Sequence, residues 1–306
     1  MTFLRRKEKK FLILILGSCV LLFLCNHLLQ LQKQRQQQQR KITEKTIKID
    51  QIRVEHILSE TKKFEQRGLS EYDPELVEFV RSIILEPTPA LNRKLNLNRK
   101  RDDYSQEGQS KKIDKMLDQK RNGFFIESGG YDGEAFSNSL FFELNRNWTG
   151  LLIEPMNDLF EHIRKKNRNI FALNACISTD KPFVTKFRVS GALSGQESKM
   201  EKHHQDRIER EMNNVKNYQE VACFSLNTIM MALRVKKVDF FSLDIEGGEY
   251  DVVKSIDYSM LDIISFCIEW PANKKTEPLI QSHLKSNGYN LAEKNGQDLF
   301  FLKKAR

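Results

Sequence analysis

Residues 124–155, FFIESGGYDGEAFSNSLFFELNRNWTGLLIEP, constrain the chain more than any other stretch. The apolar run Phe124, Phe125, Ile126 stops on an acid, Glu127, and meets Gly129, Gly130 and Gly133 before a helix-like segment that begins near Ser137. A second apolar run, Gly150 to Ile153, also stops on an acid, Glu154, about twenty residues beyond the first glycine. Strand, glycine turn, helix and strand at that spacing form the pattern of a nucleotide-type βαβ unit, whose turn cradles a ligand and whose second acid holds a ribose. The turn lacks G-x-G-x-x-G, which argues against a dinucleotide enzyme.

Downstream the alternation continues. Asp158 to Lys166 reads as a helix and Ile170 to Ala175 as a third strand. Residues 178–238 break the rhythm as an insertion: Phe183 to Val189 and Val221 to Leu226 alternate like the strands of a hairpin, and Glu197 to Val215 is a charged helical excursion. Insertions of this kind carry acceptor specificity. The rhythm resumes with strand Val238 to Asp244, helix Tyr250 to Ile256, strand Ile263 to Glu269 and helix Thr276 to Asn287. It closes on a hairpin, Tyr289 to Glu293 and Leu299 to Lys303, turning at Asn295 and Gly296. Alternating strands and helices predict an α/β fold: a doubly wound, mostly parallel seven-stranded sheet with a terminal antiparallel hairpin. Upstream, Ser110 is expected to cap a helix running to Lys120, which Gly123 stops.

The N-terminal third reads differently. Residues 1–10 form a basic tail, and residues 11–29, opening FLILILGSCVLLFLC, are long and apolar enough for one transmembrane signal anchor. No small-residue cleavage site follows, and Arg5, Arg6, Lys7, Lys9 and Lys10 before the span favour a cytoplasmic N-terminus. Residues 30–101 read as a stem and linker, Gln-rich at Gln36 to Gln39, whose weak heptad leaves a homodimer through the stem open. Within it, Asp73 before Pro74 caps a helix near 74–85 that Pro87 and Pro89 end. The formal charge of +9 belongs mainly to this region. Without interleaved aromatics or a known module, it marks a membrane flank rather than a nucleic-acid partner. The five cysteines, Cys19, Cys25, Cys176, Cys223 and Cys267, show no CxxC pair, so no metal site and no disulfide framework are expected, only small buried hydrophobes.

FFIESGGYDGE, SNSLFFE, NWTGLLIEP, NACIS and DFFSLDIEGGEYDVVKSI, in order and spacing, resemble the FkbM-type class I S-adenosylmethionine-dependent methyltransferase domain, over residues 102–306. With the anchor, the basic stem and KRNGFF before the first strand, the chain is most similar to the invertebrate Star-like group of membrane-anchored proteins. The resemblance implies a Rossmann-like fold and S-adenosylmethionine as cofactor. It assigns cofactor contacts to Glu127, Gly129, Gly133 and Glu154, with Glu154 as the ribose acid. It places Asp244 and Glu246, in LDIEGGEY, at the methyl-transfer site, so they are the catalytic candidates; Glu249 there reads more simply as a helix-dipole partner. Glu269 and Trp270 are candidates for an acceptor wall. His162, on a helix surface, and His203 and His204, in the charged insertion, do not declare themselves as a base. The first turn departs from the family's D-x-G-A-N-x-G by carrying Glu127, Gly130 and Tyr131.

Two functions remain open on this reading. One is O-methyl transfer to a hydroxyl of a glycan, lipid or small molecule. The other is a non-catalytic escort that engages membrane-protein cargo between the endoplasmic reticulum, Golgi and endosomes.

Overall fold

The computed structural model describes residues 32–38, 48–87, 94–200, 202–211, 217–269 and 276–304. The chain divides into two compact units, Met1–His56 and Ile57–Arg306. The basic tail and the predicted span at 11–29, with Cys19 and Cys25, lie outside the described residues, among which no helix is long and apolar enough to cross a membrane. In the first unit, residues 32–38 are helical, and helix α1 (48–67) begins at its end.

The second unit is built on the expected sheet. Its strands are β1 (Phe124–Ser128), β2 (Thr149–Ile153), β3 (Ile170–Leu173), β9 (Phe240–Leu243), β11 (Ser265–Glu269), β12 (Tyr289–Asn295) and β13 (Asp298–Lys303), in the order β12-β13-β11-β9-β1-β2-β3. Every pair is parallel except those made by β13, which runs antiparallel to both β11 and β12; beside the sheet, the short strands β8 (Lys237–Val238) and β10 (Asp262–Ile263) pair parallel with each other. Strands covered on both faces must be apolar at successive positions, and these are. Ile126, Leu151, Phe241, Phe266 and Phe301 face one core, and their neighbours Phe125, Leu152, Phe240, Cys267 and Phe300 face the other.

Helices fill each side. Helices α3 (Gln109–Met116), α4 (Leu140–Arg146) and α5 (Asn157–Lys165) cover the second face through Ile113, Phe142, Phe160 and Ile163. The first face is covered by α2 (Pro74–Ile83), α7 (Leu226–Leu233), α8 (Glu249–Ser255) and α9 (Thr276–Ser286). Ile57 and Phe64 of α1 join that core, so the predicted stem from Ile57 onward packs into the same unit as the sheet. Helix α2 starts as its sequence dictates: the Asp73 side chain accepts from the Glu75 amide at 2.8 Å, with Pro74 in the first turn. Its Arg81 Nε donates to the Ala232 carbonyl at 2.9 Å, and Leu85 then pairs with Ala172, covering the exposed edge of β3.

Several local expectations are corrected. Helix α3 begins after Gly108, at φ +76°, and Ser110 does not cap it; the Ser110 hydroxyl is held by Asp103 instead. Helix α4 begins at Leu140 rather than near Ser137, because Glu127 captures the backbone and side chains of residues 137–139. The linker from Asn96 to Tyr104 is anchored: the Asn98 and Arg99 amides donate to Glu134, and the Tyr104 hydroxyl donates to the Arg99 carbonyl. The insertion holds more than a hairpin. Strands β5 (Phe183–Arg188) and β7 (Tyr218–Ser225) do pair antiparallel, but β4 (Cys176–Ser178) and β6 (Gly195–Gln196) complete a four-stranded sheet, and α7 follows β7 directly. Its charged helix, α6, spans Lys202–Glu211.

The cysteine expectation also fails at one pair. Cys176 and Cys223 oppose each other on β4 and β7, 4.4 Å apart at Cα, and form a disulfide. A separation of 47 residues across an insertion leaves no spacing signature for such a pair. Cys267 is a free, buried thiol, as its apolar context predicts.

Trp148 is the largest side chain sealed in the second core. It stacks on Phe142 with ring centroids 4.5 Å apart, and its Nε1 donates to the Lys120 carbonyl at 2.9 Å. A Cβ on Gly123 would lie 2.5 Å from its ring, so that glycine is a packing requirement. Trp148→Ala is expected to lose about 3–5 kcal/mol of stability, read by chemical denaturation of the folded chain.

Candidate functional site

The carboxyl ends of β1, β2, β9 and β11 converge where open α/β sheets place their ligands. Glu127, the fourth residue of β1, is buried among donors. Its Oε2 accepts from the Ser137 hydroxyl at 2.9 Å and from the Ser139 hydroxyl, and its Oε1 accepts from the Asn138 amide at 2.6 Å. Burial pushes its carboxyl up, opposed by the Arg168 guanidinium and by these donors. Arg168, fully buried, reaches the Gly133 carbonyl at 2.9 Å, the hydroxyls of Ser137 and Ser139, and Glu143 at 2.8 Å. Glu127 therefore shapes the turn from Gly129 to Ser139.

The glycines in that turn serve the protein's own packing. Gly129 sits at φ +86°, and a Cβ there would fall 1.9 Å from the Asp244 carbonyl, so β1 and β9 can approach only with hydrogen at this position. Gly133, at φ +78°, lies against Ile163 of α5, where a Cβ would be 3.1 Å away. Between them Tyr131 also has positive φ, 48°, as does Phe136 at 62°; their rings lie 5.9 Å apart and Phe136 is half exposed. Bulky residues in that region cost about 1–3 kcal/mol each and persist where surrounding contacts fix them.

Glu154, just beyond β2, is buried. Its Oε2 accepts from the Tyr131 amide at 3.0 Å and its Oε1 from the Met156 amide at 2.8 Å. Burial pushes its pKa up to about 8, against those two amides.

Past β9, Asp244, Ile245, Glu246 and Gly247 form a tight loop in which Glu246 has φ +58°. Glu249, at the start of α8, folds back to close it, accepting from the Gly247 amide at 2.9 Å and the Ile245 amide at 3.3 Å. Its pKa is raised to about 7 by burial. Carboxylate oxygens of Asp244, Glu246 and Glu269 lie within 4.8 Å of one another. Asp244 is held well above the usual carboxylate range, first by burial and then by Glu269, to which it is hydrogen-bonded, with Glu246 and Glu249 adding to the effect. Asp298 of β13 extends the group; its pKa rises to about 6 through burial and Glu269, and Gln109 Nε2 donates to it at 2.9 Å.

Two cavities open side by side here and share Ser128, Gly129, Tyr131, Asp244 and Glu246. The smaller, about 70 Å³, lies beside Glu154, Pro155, Leu159, Cys176 and Phe187. The larger, about 370 Å³, runs over Asn138, Glu269 and Asp298 to Ser190 and Arg207 of the insertion.

The Methyltransferase FkbM domain matches residues 127–291. The chain belongs to the FkbM methyltransferase family. No curated protein matches it. Among solved structures it is similar to a methyltransferase from Pyrococcus furiosus, at 14% identity over 64% of this chain and 81% of that one, with a TM-score of 0.35. It is also similar to the human methyltransferase 10 domain-containing protein, at 13% identity over 75% and 96% of the two chains and a TM-score of 0.33. A third similarity is to Haemonchus contortus phosphoethanolamine N-methyltransferase 1, solved with phosphoethanolamine and S-adenosylhomocysteine, at 10% identity over 66% of this chain and 40% of that one, with a TM-score of 0.29.

S-adenosylmethionine is the cofactor of this FkbM domain. The donor set fits it. Each Glu154 oxygen holds one backbone amide and keeps acceptor capacity for a ribose hydroxyl, and the carboxyl lines the smaller cavity. Of the cofactor candidates, Gly129 lines both cavities and Glu127 lines the larger; Gly133 lines neither. Asp244 and Glu246 stand on the shared wall. Glu269 joins them, while Trp270 lies outside the described residues. His162 is exposed on α5, away from both cavities. Sequence reasoning missed Asn138, whose Oδ1 is buried without a donor, and the Gln109–Asp298 pair; the long separations, 189 residues for the pair, leave no local signal.

The raised Glu154 pKa gives a signed prediction. The free protein holds this carboxyl mostly protonated below about pH 8, whereas a ribose diol donating to it favours the ionised form, so binding releases a proton. Affinity for S-adenosylmethionine should rise from about pH 6 to about pH 8 and level off above, and Glu154→Gln should flatten the profile, as measured by calorimetry across pH.

Proposed function

We propose that the chain is a membrane-anchored O-methyltransferase of the Star-like group, acting on a hydroxyl acceptor in the lumen of the endoplasmic reticulum, Golgi or endosomes. The observation that carries the reading is the meeting of two cavities at Ser128, Gly129 and Asp244, one beside the ribose-type acid Glu154 and one walled by carboxyls. A methyl transferase needs that layout, because displacement at carbon requires donor and acceptor in line across one short gap.

S-adenosylmethionine, when bound, supplies an electrophilic methyl group on a sulfonium. Glu154 holds the ribose, and the Gly129 backbone, crossing close to Asp244, forms the floor between the cavities. Asp244 and Glu246 orient the acceptor hydroxyl at the shared wall. Asp244 is hydrogen-bonded to Glu269, and burial and that neighbour hold it well above the usual carboxylate range, which makes its ionised oxygen more basic than that of an isolated carboxylate. That oxygen takes the hydroxyl proton as the O–C bond forms.

The lumenal placement is supported by the apolar run at 11–29 behind its basic flank, by the Cys176–Cys223 disulfide, which suits an oxidising compartment, and by the exposed Asn147 of an Asn-Trp-Thr sequon. A second reading, a non-catalytic escort that engages membrane-protein cargo, is favoured by one feature: the cavity beside Glu154 is only about 70 Å³, with Tyr131 on its wall.

Calorimetry of the full chain in detergent micelles separates the two. Saturable S-adenosylmethionine binding, weakened at least about tenfold by Glu154→Ala through loss of hydrogen bonds to a carboxylate, is the expected result. A chain that binds neither S-adenosylmethionine nor S-adenosylhomocysteine leaves the escort reading.

A further inference from the structure

Resting on the methyl-transfer reading, we propose that the larger cavity receives a ring of a neutral glycan as the methyl acceptor, stacked on Phe136 and hydrogen-bonded by the polar groups around Asn138 and Asp244. At about 370 Å³ the cavity falls in the range of small-molecule pockets and has no room for a helix.

Its charge selects against acids. Asp244, Glu246, Glu269 and Asp298 line one side, and Arg207 is the one basic residue among the described lining residues. A phosphate or carboxylate acceptor would enter against several like charges at close range. Its hydrogen-bonding character is mixed. The buried Asn138 Oδ1 has no donor and calls for one, since an unmet buried acceptor costs about 1–3 kcal/mol. Asn138 is otherwise fixed, its amide on Glu127 and its Nδ2 on the Ser242 hydroxyl at 2.9 Å, so its oxygen cannot swing away to water. Gln106 and Gln297 add side-chain amides that both donate and accept. Hydroxyl groups match a wall that both gives and takes hydrogen bonds. An ammonium group, which only donates, could meet the carboxyls and the Asn138 oxygen but would leave the Gln106 and Gln297 amide donors unmatched.

The aromatic rim completes the match. Phe136 is 50% exposed, lines the cavity, and is held in a left-handed backbone conformation beside Tyr131. That conformation is imposed by neighbours on both sides: Asp132 Oδ1 accepts from the Glu134 and Ala135 amides, and Glu127 accepts from the Asn138 amide. A large ring kept half in solvent at a polar cavity offers a negative π-face to the C–H side of a sugar ring while its hydroxyls meet the wall. Ser190, Leu193 and Arg207 of the insertion also line the cavity, which makes residues 178–238 the determinant of which sugar is taken.

In the transfer, the sulfonium carbon–sulfur bond breaks as the carbon–oxygen bond forms, the electron pair stays on sulfur as a neutral thioether, and the hydroxyl proton passes to the Asp244–Glu269 pair. The product is a sugar methyl ether, stable to alkali.

The test uses the full chain in micelles with S-adenosylhomocysteine bound, saturation-transfer NMR against a panel of neutral methyl pyranosides, and methyl-labelled S-adenosylmethionine for turnover. Selected pyranosides should show saturation transfer and give an alkali-stable labelled ether. Phe136→Ala should weaken their binding about tenfold, Phe136→Tyr should retain it, and S-adenosylhomocysteine affinity should change by less than about threefold in both. Pyranosides that stay silent while S-adenosylhomocysteine binds would overturn the glycan assignment and leave the methyltransferase reading standing. Preferential binding or methylation of choline-type amines or of phosphorylated acceptors would overturn it equally. Pyranoside binding by a chain that ignores S-adenosylhomocysteine would refute the acceptor role and with it the methyl-transfer reading, and silence from both ligands sinks the two together.

Discussion

The buried ion pair between Arg168 and the acids around it governs the geometry of the site. Arg168 lies at the base of β3, yet its guanidinium reaches Glu143 on α4, the Gly133 carbonyl and the hydroxyls of Ser137 and Ser139, and those two hydroxyls also donate to Glu127. Removing one partner from such a buried set costs about 3–5 kcal/mol, because it strands a charge out of water. The set holds one polypeptide path from Gly129 to Leu140, including the two aromatics in left-handed conformations and the orphaned Asn138 oxygen. The first turn is rigid for this reason, although most of it is neither helix nor strand.

A second constraint acts across the sheet. The 1.9 Å clash that a Cβ at Gly129 would make with the Asp244 carbonyl shows how closely the ends of β1 and β9 pass. Because the Asp244 amide also donates to the Ser128 carbonyl, the two loops move as one piece. Glu154 enters the same assembly through the Tyr131 amide. The acid of β2, the turn of β1 and the acids of β9 are thus coupled through backbone groups, and changes at one cavity reach the other through Gly129, Tyr131 and Asp244.

Much of the architecture was legible because it rests on local periodicity. The continuous apolar runs at Phe124, Leu151 and Phe240, each short and bounded by turn signals, read as strands covered on both faces, and Asn295-Gly296 marks the closing turn. The candidate site was legible at strand ends, where Glu127, Glu154, Asp244 and Glu246 stand as acids after apolar runs and line one or both cavities. What the sequence withheld depends on which of several available partners a group takes. Ser110 has the chemistry of a helix cap, but Asp103 outcompetes the helix for its hydroxyl. Glu249 looks like a dipole partner and instead closes the Asp244 loop. The glycines looked like room for a ligand, whereas Gly129 and Gly133 make room for Asp244 and Ile163.

The insertion explains how a sheet of this type can present an individual surface. Its four strands are tied to the main unit at Cys176, where β4 leaves the end of β3, and the Cys176–Cys223 bond fixes β7 beside it. Cys176 and Phe187 line the cavity beside Glu154, while Ser190 and Leu193, just after β5, and Arg207 of α6 line the one over Asn138. The small sheet, the turn after β5 and α6 therefore line both cavities from the insertion, whereas the seven-stranded sheet lines them through the strand-end residues Glu154, Asp244 and Glu269. Substitution in the insertion can reshape the outer wall without touching the buried pair at Arg168 or the crossing at Gly129, because neither depends on residues 178–238. The division of labour places acceptor choice on the added sheet and methyl-donor geometry on the strand ends.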